Sequence, residues 1–281
     1  MTLEQYSKTS YKLSKKLTVA YSTSFSWGIK VFKPEYRDPI FAIYGFVRVA
    51  DEIVDTFHDF DKKELLKKFE EDTWNAIENK ISTNPVLHAF QETVNNYDID
   101  HKLIVAFLKS MEMDLSNESY DREVYDEYIY GSAEVVGLMC LKVFLDGDKI
   151  KYDELEHSAR MLGAAFQKVN FLRDIQSDIN DRGRIYLPGV HHFDFIDNSN
   201  KALLEKEVDV EFKEAFKGIV KLPIAVKLGV YSAYLYYLML FKKIKRLDVE
   251  QLKSKRVRVS NWYKFYLLLK SYLEVKVIKT T

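Results

Sequence analysis

Ten glycines and five prolines are the only strong chain breakers in 281 residues. An all-β chain needs a turn roughly every 8–12 residues, normally built on such residues. Strand-type alternation is nearly absent too; IYLPGV (185–190) is the best extended candidate, and it is short. What remains is long stretches with apolar residues at helical spacing. The chain therefore reads as all-α, and no composition shift or repeat divides residues 1–281, so one domain is expected. A chain of this length buries a large core without staples, and its single cysteine, Cys140, excludes a disulfide framework or a Cys-based zinc site.

Local signals place the helices. Pro34 opens PEYRDPIFAIYGFVRVADEIVDTF, and a second proline, Pro39, is expected to kink that helix or shift its start. Asp61 fits an N-cap, and Asn84–Pro85 is a cap followed by a first helical proline. Residues 121–145 run unbroken to Gly147, and 149–181 run to Arg182–Gly183. Further helices follow Asn200 and Pro223, and the last covers roughly 259–277.

The 42 basic and 42 acidic side chains cancel, which argues against nucleic acid as a partner. One cysteine suits a reducing compartment, and the N-terminus has no apolar core of signal-peptide length. The longest uncharged apolar run, Leu228–Phe241, is too short to span a bilayer. A soluble, cytoplasmic protein is expected, and nothing calls for an obligate protein partner. The neutral balance hides an asymmetry: residues 242–281 hold 12 Lys/Arg against 3 Asp/Glu, a net of +9, and the rest carries −9. Those basic residues are interleaved with apolar ones, as on a solvated helix face. The alternative is peripheral contact with anionic lipid, where each cation near the surface adds about 1 kcal/mol.

Two acidic pairs are the candidate site: Asp51/Asp55 and Asp174/Asp178, each at i, i+4 on one helix face. Spacing alone says nothing, because 21 Asp produce roughly 1.5 such matches by chance, and three occur. Context says more. Gln167, Asn170, Asp174, Asp178 and Asp181 fall on one face without a lysine, flanked by Leu162, Ala164, Ala165, Phe166, Val169 and Phe171. Tyr44, Arg48, Asp51 and Asp55 form a matching row among Phe41, Ile43, Phe46, Val47 and Val49. Carboxylates and amides on largely buried helices need partners. Oxygen donors of this kind suit Mg²⁺, completed by water and substrate phosphate, and an arginine fork suits a diphosphate.

The runs AIYGFVRVADEIVD (42–55) and FQKVNFLRDIQSDINDRGRIYLP (166–188) resemble the two signature regions of the squalene and phytoene synthase family. YSTSFSWGIKVFKPEYR (21–37), MEMDL (111–115) and YIYGSAEVVGLM (128–139) agree more weakly. The resemblance implies an all-α isoprenoid-synthase fold with a central cavity. It also implies a Mg²⁺-dependent prenyltransferase, with Mn²⁺ as a substitute, joining two allylic prenyl diphosphates head to head. By resemblance Asp51, Asp55, Asn170, Asp174 and Asp178 hold the metal, and Ser22, Ser24, Phe25, Arg48, Gln167, Arg173 and Arg184 line the diphosphate and prenyl sites. Tyr44 and Tyr130 match aromatic positions near the reacting carbons. Glu134 departs from the family, which usually has a small residue there, and Ile129 stands where a cysteine is common. The RDIQSD and RGRIYLP forms favour the phytoene synthase branch, acting on two geranylgeranyl diphosphates. A squalene or dehydrosqualene synthase acting on farnesyl diphosphate is the alternative, with NADPH needed only for squalene. A non-catalytic binding protein with the same fold would show eroded acidic rows, and both rows here are intact.

Overall fold

The computed structural model describes residues 2–116, 119–181 and 183–278; the side chains of Thr23, Ser24, Phe193, Val277 and Ile278 also lie outside the description. Thirteen α-helices occur among these residues, and no β-strand. They are α1 (Leu3–Tyr21), α2 (Thr23–Lys30), α3 (Pro34–Asp55), α4 (Lys62–Asn79), α5 (Pro85–Asn96), α6 (His101–Ser116) and α7 (Arg122–Ile129). After these come α8 (Val135–Leu145), α9 (Lys149–Asn180), α10 (Asn198–Ile219), α11 (Ile224–Ile244), α12 (Val249–Ser254) and α13 (Asn261–Ile278).

The starts follow the capping chemistry. Asp61 accepts from the Glu64 amide and opens α4, and Asn84 accepts from Val86 and Leu87 ahead of Pro85 in α5. Helix α3 starts at Pro34 and continues through Pro39. Pro39 lies in the second turn, where it removes the bond an N–H would donate to the Glu35 carbonyl without ending the helix. The expected continuous helix over 121–145 is interrupted by a π-helical turn, Tyr130–Glu134. At its end Asp146 and Gly147 adopt positive φ (47° and 84°) and stop α8. The extended stretch near 185–190 makes an isolated parallel bridge, Ile185 to Ser119, and the Gly189 amide donates to the Tyr120 carbonyl at 2.9 Å.

Helix α3 is anchored on its outer side by Phe46, whose ring stacks on Phe90 of α5 at 3.9 Å. Helix α9 has 32 residues, about 48 Å at 1.5 Å per residue, and packs against the π turn, α8, α10 and α11. Gly163 allows a close approach to the π turn: a Cβ there would lie 2.5 Å from the Ala133 carbonyl oxygen. The apolar run at 228–241 sits in the 21-residue α11, which is long and apolar enough to cross a membrane by length and composition, as is 122–145. Both are more than half buried within the fold, as core helices are.

Candidate active site

Helices α3 and α9 face one cavity of about 440 Å³, within the usual range of small-molecule sites, about 300–1,000 Å³. From α3 it receives Ile40, Tyr44, Val47, Arg48, Asp51 and Asp55; from α9 come Leu155, Leu162, Phe166, Gln167, Asn170, Arg173, Asp174 and Asp178. In both helices the wall is apolar toward the N-terminal half and charged toward the C-terminal end. The span from Ile40 to Asp55 is about 22 Å along the axis. Phe32 and Phe144, in edge contact at 5.2 Å, line the cavity with the apolar residues. Ser22, which caps α2, and Phe25 complete the wall near Tyr44, with Phe25 and Tyr44 stacked at 4.4 Å. Burial is the main reason the Tyr44 hydroxyl is pushed up to about 12.

The charged end is dense in arginine–carboxylate contacts. Arg48 bonds Glu52, lies 3.8 Å from Asp51 and covers the Tyr21 ring at 4.1 Å, while its buried Nε has no hydrogen-bond partner. Arg173 Nε donates to Asp174 at 2.9 Å, and Arg256, from the segment between α12 and α13, approaches the same carboxylate at 2.7 Å. Burial alone would raise Asp174; the two guanidinium groups outweigh it and hold the carboxyl below its ordinary value. Beside this pair Tyr237 donates to Asn170 at 3.3 Å, Asn170 donates to Gln167 at 3.4 Å, and Tyr237 stacks on Phe166 at 3.9 Å.

Behind Asp55 lies a second layer. Arg184 Nη1 donates to Asp55 at 2.8 Å and sits 3.6 Å from Asp114. Asp114 accepts from the hydroxyls of Tyr120, Tyr128 and Tyr186 at 2.8–3.0 Å. Its burial raises the carboxyl, against the pull of Arg184 and the Tyr186 hydroxyl. Asp114, Tyr128, Phe171 and Tyr186 all reach the cavity wall, and Phe171 stacks on Tyr186 at 4.2 Å.

Of the residues expected at the site, Ser22, Phe25, Tyr44, Arg48, Asp51, Asp55, Gln167, Asn170, Arg173, Asp174 and Asp178 are brought together on this wall. Tyr130 and Arg184 are not part of it. Tyr130 lies under the Arg160 guanidinium at 5.3 Å, and Tyr128 faces the cavity instead. Arg184 reaches the wall through Asp55, Asp114 and the Tyr186 hydroxyl, to which Nη1 donates at 3.2 Å. The side chain of Ser24 falls outside the described residues, and Asp181 is exposed beyond the end of α9. Glu134 is buried away from the wall and paired with Arg160 at 2.6 Å. Sequence reasoning missed Tyr128, Asp114 as the acceptor of three tyrosines, and Arg256.

The donor set suits a hard divalent cation: carboxylates and one amide, with neither thiolate nor imidazole among them. Among the described residues no three Asp, Glu, His or Cys side chains converge closely enough to cage an ion by themselves. Carboxylates from two helices, completed by water and phosphate oxygens, match the way Mg²⁺ is held.

A family model described as Squalene/phytoene synthase matches residues 18–263. The chain belongs to the squalene/phytoene synthase family. It is accordingly a prenyltransferase of the phytoene synthase type. It is 28% identical to the phytoene synthase of Arthrospira platensis, covering 96% of this chain and 94% of that one. Identity to phytoene synthase 1 of Solanum lycopersicum is also 28%, over 92% of this chain and 67% of the plant protein. A dehydrosqualene synthase crystal structure superposes with a TM-score of 0.81 at 22% identity, covering 97% of this chain and 99% of that one. A squalene synthase from Alicyclobacillus acidocaldarius gives 0.75 at 21%, with 88% and 96% covered. These two show the same all-α fold.

Proposed function

We propose that this family member, with residues 1–281 as one synthase domain, joins two geranylgeranyl diphosphates head to head into phytoene by way of a cyclopropyl diphosphate. One observation carries the reading: two acidic helix faces and two arginines share the charged end of a cavity whose remaining wall is mainly apolar. Asp51, Asp55, Asn170, Asp174 and Asp178 would hold Mg²⁺, which when bound neutralises the charge of a departing diphosphate.

The chain's own residues do the rest. Arg48 and Arg173 are fixed cations on the cavity wall, placed to take diphosphate oxygens. When the first diphosphate leaves with the bonding pair, the allylic carbocation is shielded from water and faced by Phe25, Tyr44, Phe166 and Tyr237. The double bond of the second substrate attacks it. A proton passes to the released diphosphate and closes the cyclopropane. Loss of the second diphosphate and one more proton then gives the hydrocarbon, with no reductant required. Tyr44, with its hydroxyl raised to about 12, stays protonated throughout.

A second reading has farnesyl diphosphate as substrate. It is favoured by 29% identity to a 4,4'-diapophytoene synthase of Staphylococcus haemolyticus over 66% of this chain. Incubation of the protein with Mg²⁺ and each substrate, with and without NADPH, separates the two. Phytoene from the twenty-carbon substrate alone is expected. Dehydrosqualene or squalene as the main hydrocarbon would overturn the first reading, and no diphosphate release from either substrate would overturn both. Peripheral contact with anionic lipid belongs to the same reading, since the substrates and product are lipid-soluble.

A further inference from the structure

Helix α13 is apolar on two opposite faces, and only one of them is covered. Leu267, Ser271 and Val275 are buried against α11, where the Ser271 and Ser232 hydroxyls bond at 2.6 Å. On the other side Trp262, Phe265, Tyr266, Leu269, Tyr272 and Leu273 follow at i, i+3, i+4, i+7, i+10 and i+11, one continuous stripe. All six are exposed, Trp262 at 85% and Leu273 at 64%. An exposed apolar patch of this kind marks an interaction surface.

Charge selects the occupant. The stripe lies within residues 242–281, whose net charge is +9, and Lys255 and Arg258 lead into the helix as exposed cations. Lys276 lies along the stripe itself, with Nζ 4.5 Å from the Tyr272 ring centre. A second copy would bring +9 against +9. A lipid surface of negative charge complements the rim, while Trp, Tyr and Phe suit the boundary between headgroups and acyl chains. Beneath α13, a cleft of about 30 Å³ lined by Trp27, Leu267 and Leu268 shares Gly28, Ala233 and Tyr236 with the wall of the central cavity.

We infer that the outer face of α13 docks on an anionic lipid surface, with the cleft and the central cavity on the inner side of the helix. The docking needs no substrate, so its test is independent of which hydrocarbon is made. The full chain is floated with vesicles of phosphatidylcholine alone, or of phosphatidylcholine mixed with phosphatidylglycerol, at low and high salt. Binding to the anionic vesicles is expected, weakened by salt. It should fall about tenfold or more in the triple variant Trp262→Ser, Phe265→Ser, Leu269→Ser, since each removes a large apolar side chain from the contact. Diphosphate release from detergent-dispersed substrate should stay unchanged in that variant, which also shows that it folds. Absence of vesicle binding, equal binding to both vesicle types, or undiminished binding by the variant would overturn the inference. So would a wild-type dimer in sedimentation that the variant dissolves, because a second copy then covers the face.

Discussion

Arg256 Nε lies 2.7 Å from Asp174 Oδ1 across 82 residues of chain. The contact ties the segment between α12 and α13 to the charged end of the cavity. It gives Asp174 a second cation beside Arg173.

Arg256→Ala should therefore lower diphosphate release by about tenfold or more, as loss of a fixed cation at such a site does. Its effect on stability should stay below about 1 kcal/mol, because the arginine is half exposed. The sign with pH follows from Asp174, whose carboxyl is held below its ordinary value of 3.8. Stability from that ion pair is present above 3.8 and lost as pH falls through the lower folded value. Melting curves of variant and wild type should differ slightly at neutral pH and converge in strong acid.

Asp51→Ala and Asp174→Ala should each abolish turnover while leaving the fold intact. We expect losses of about a thousandfold or more in diphosphate release, with a melting temperature within a few degrees of wild type. Near-normal release by either variant would remove these carboxylates from the metal site.

Arg184→Met should unfold more readily and also lose activity. It leaves buried Asp114 without its cation, which typically costs about 3–5 kcal/mol, and it frees Asp55 from its 2.8 Å tether. Asp114 is already raised by burial, so its contribution is full below the ordinary carboxylate value and declines as pH rises through the folded value. The variant's deficit in denaturant titration should thus grow from acidic to neutral pH. Adding Asp114→Asn should recover part of the stability.

Arg160→Ala should destabilise the protein by about 1–3 kcal/mol by leaving the buried Glu134 carboxylate unmatched. Arg160→Ala combined with Glu134→Gln should recover much of it, as thermal denaturation of the two variants would show. Cavity chemistry should be spared in the double variant, because neither residue lines the wall.

The helices and both acidic rows were legible because each rests on periodicity. An unbroken 3.6-residue pattern places Tyr44, Arg48, Asp51 and Asp55 on one face whatever surrounds them, and the same holds for Gln167 through Asp178. Tyr130 rested on resemblance alone and not on period. The structure sets it beneath Arg160, beside the π turn at Tyr130–Glu134, while Tyr128 lines the cavity and Glu134 pairs with Arg160. Nothing in a string of good helix formers announces such a turn. Asp114 was quoted only as part of a weakly matching stretch, and its three partners are ordinary members of a set of nineteen tyrosines. Arg256 lay hidden in a basic run that read as solvated surface. Only the path of the chain between α12 and α13 brings it back to α9.

The apolar half of the wall along α3 and α9 has a consequence for how such an enzyme diverges. Under the proposed function, bond making belongs to the end with the carboxylates, and the apolar wall, Phe32 and Phe144 included, would only measure what has entered. A change in those two rings would then alter which hydrocarbon leaves and spare the machinery that makes it. Product identity and catalytic competence would thus drift separately, one through a handful of apolar side chains and the other hardly at all.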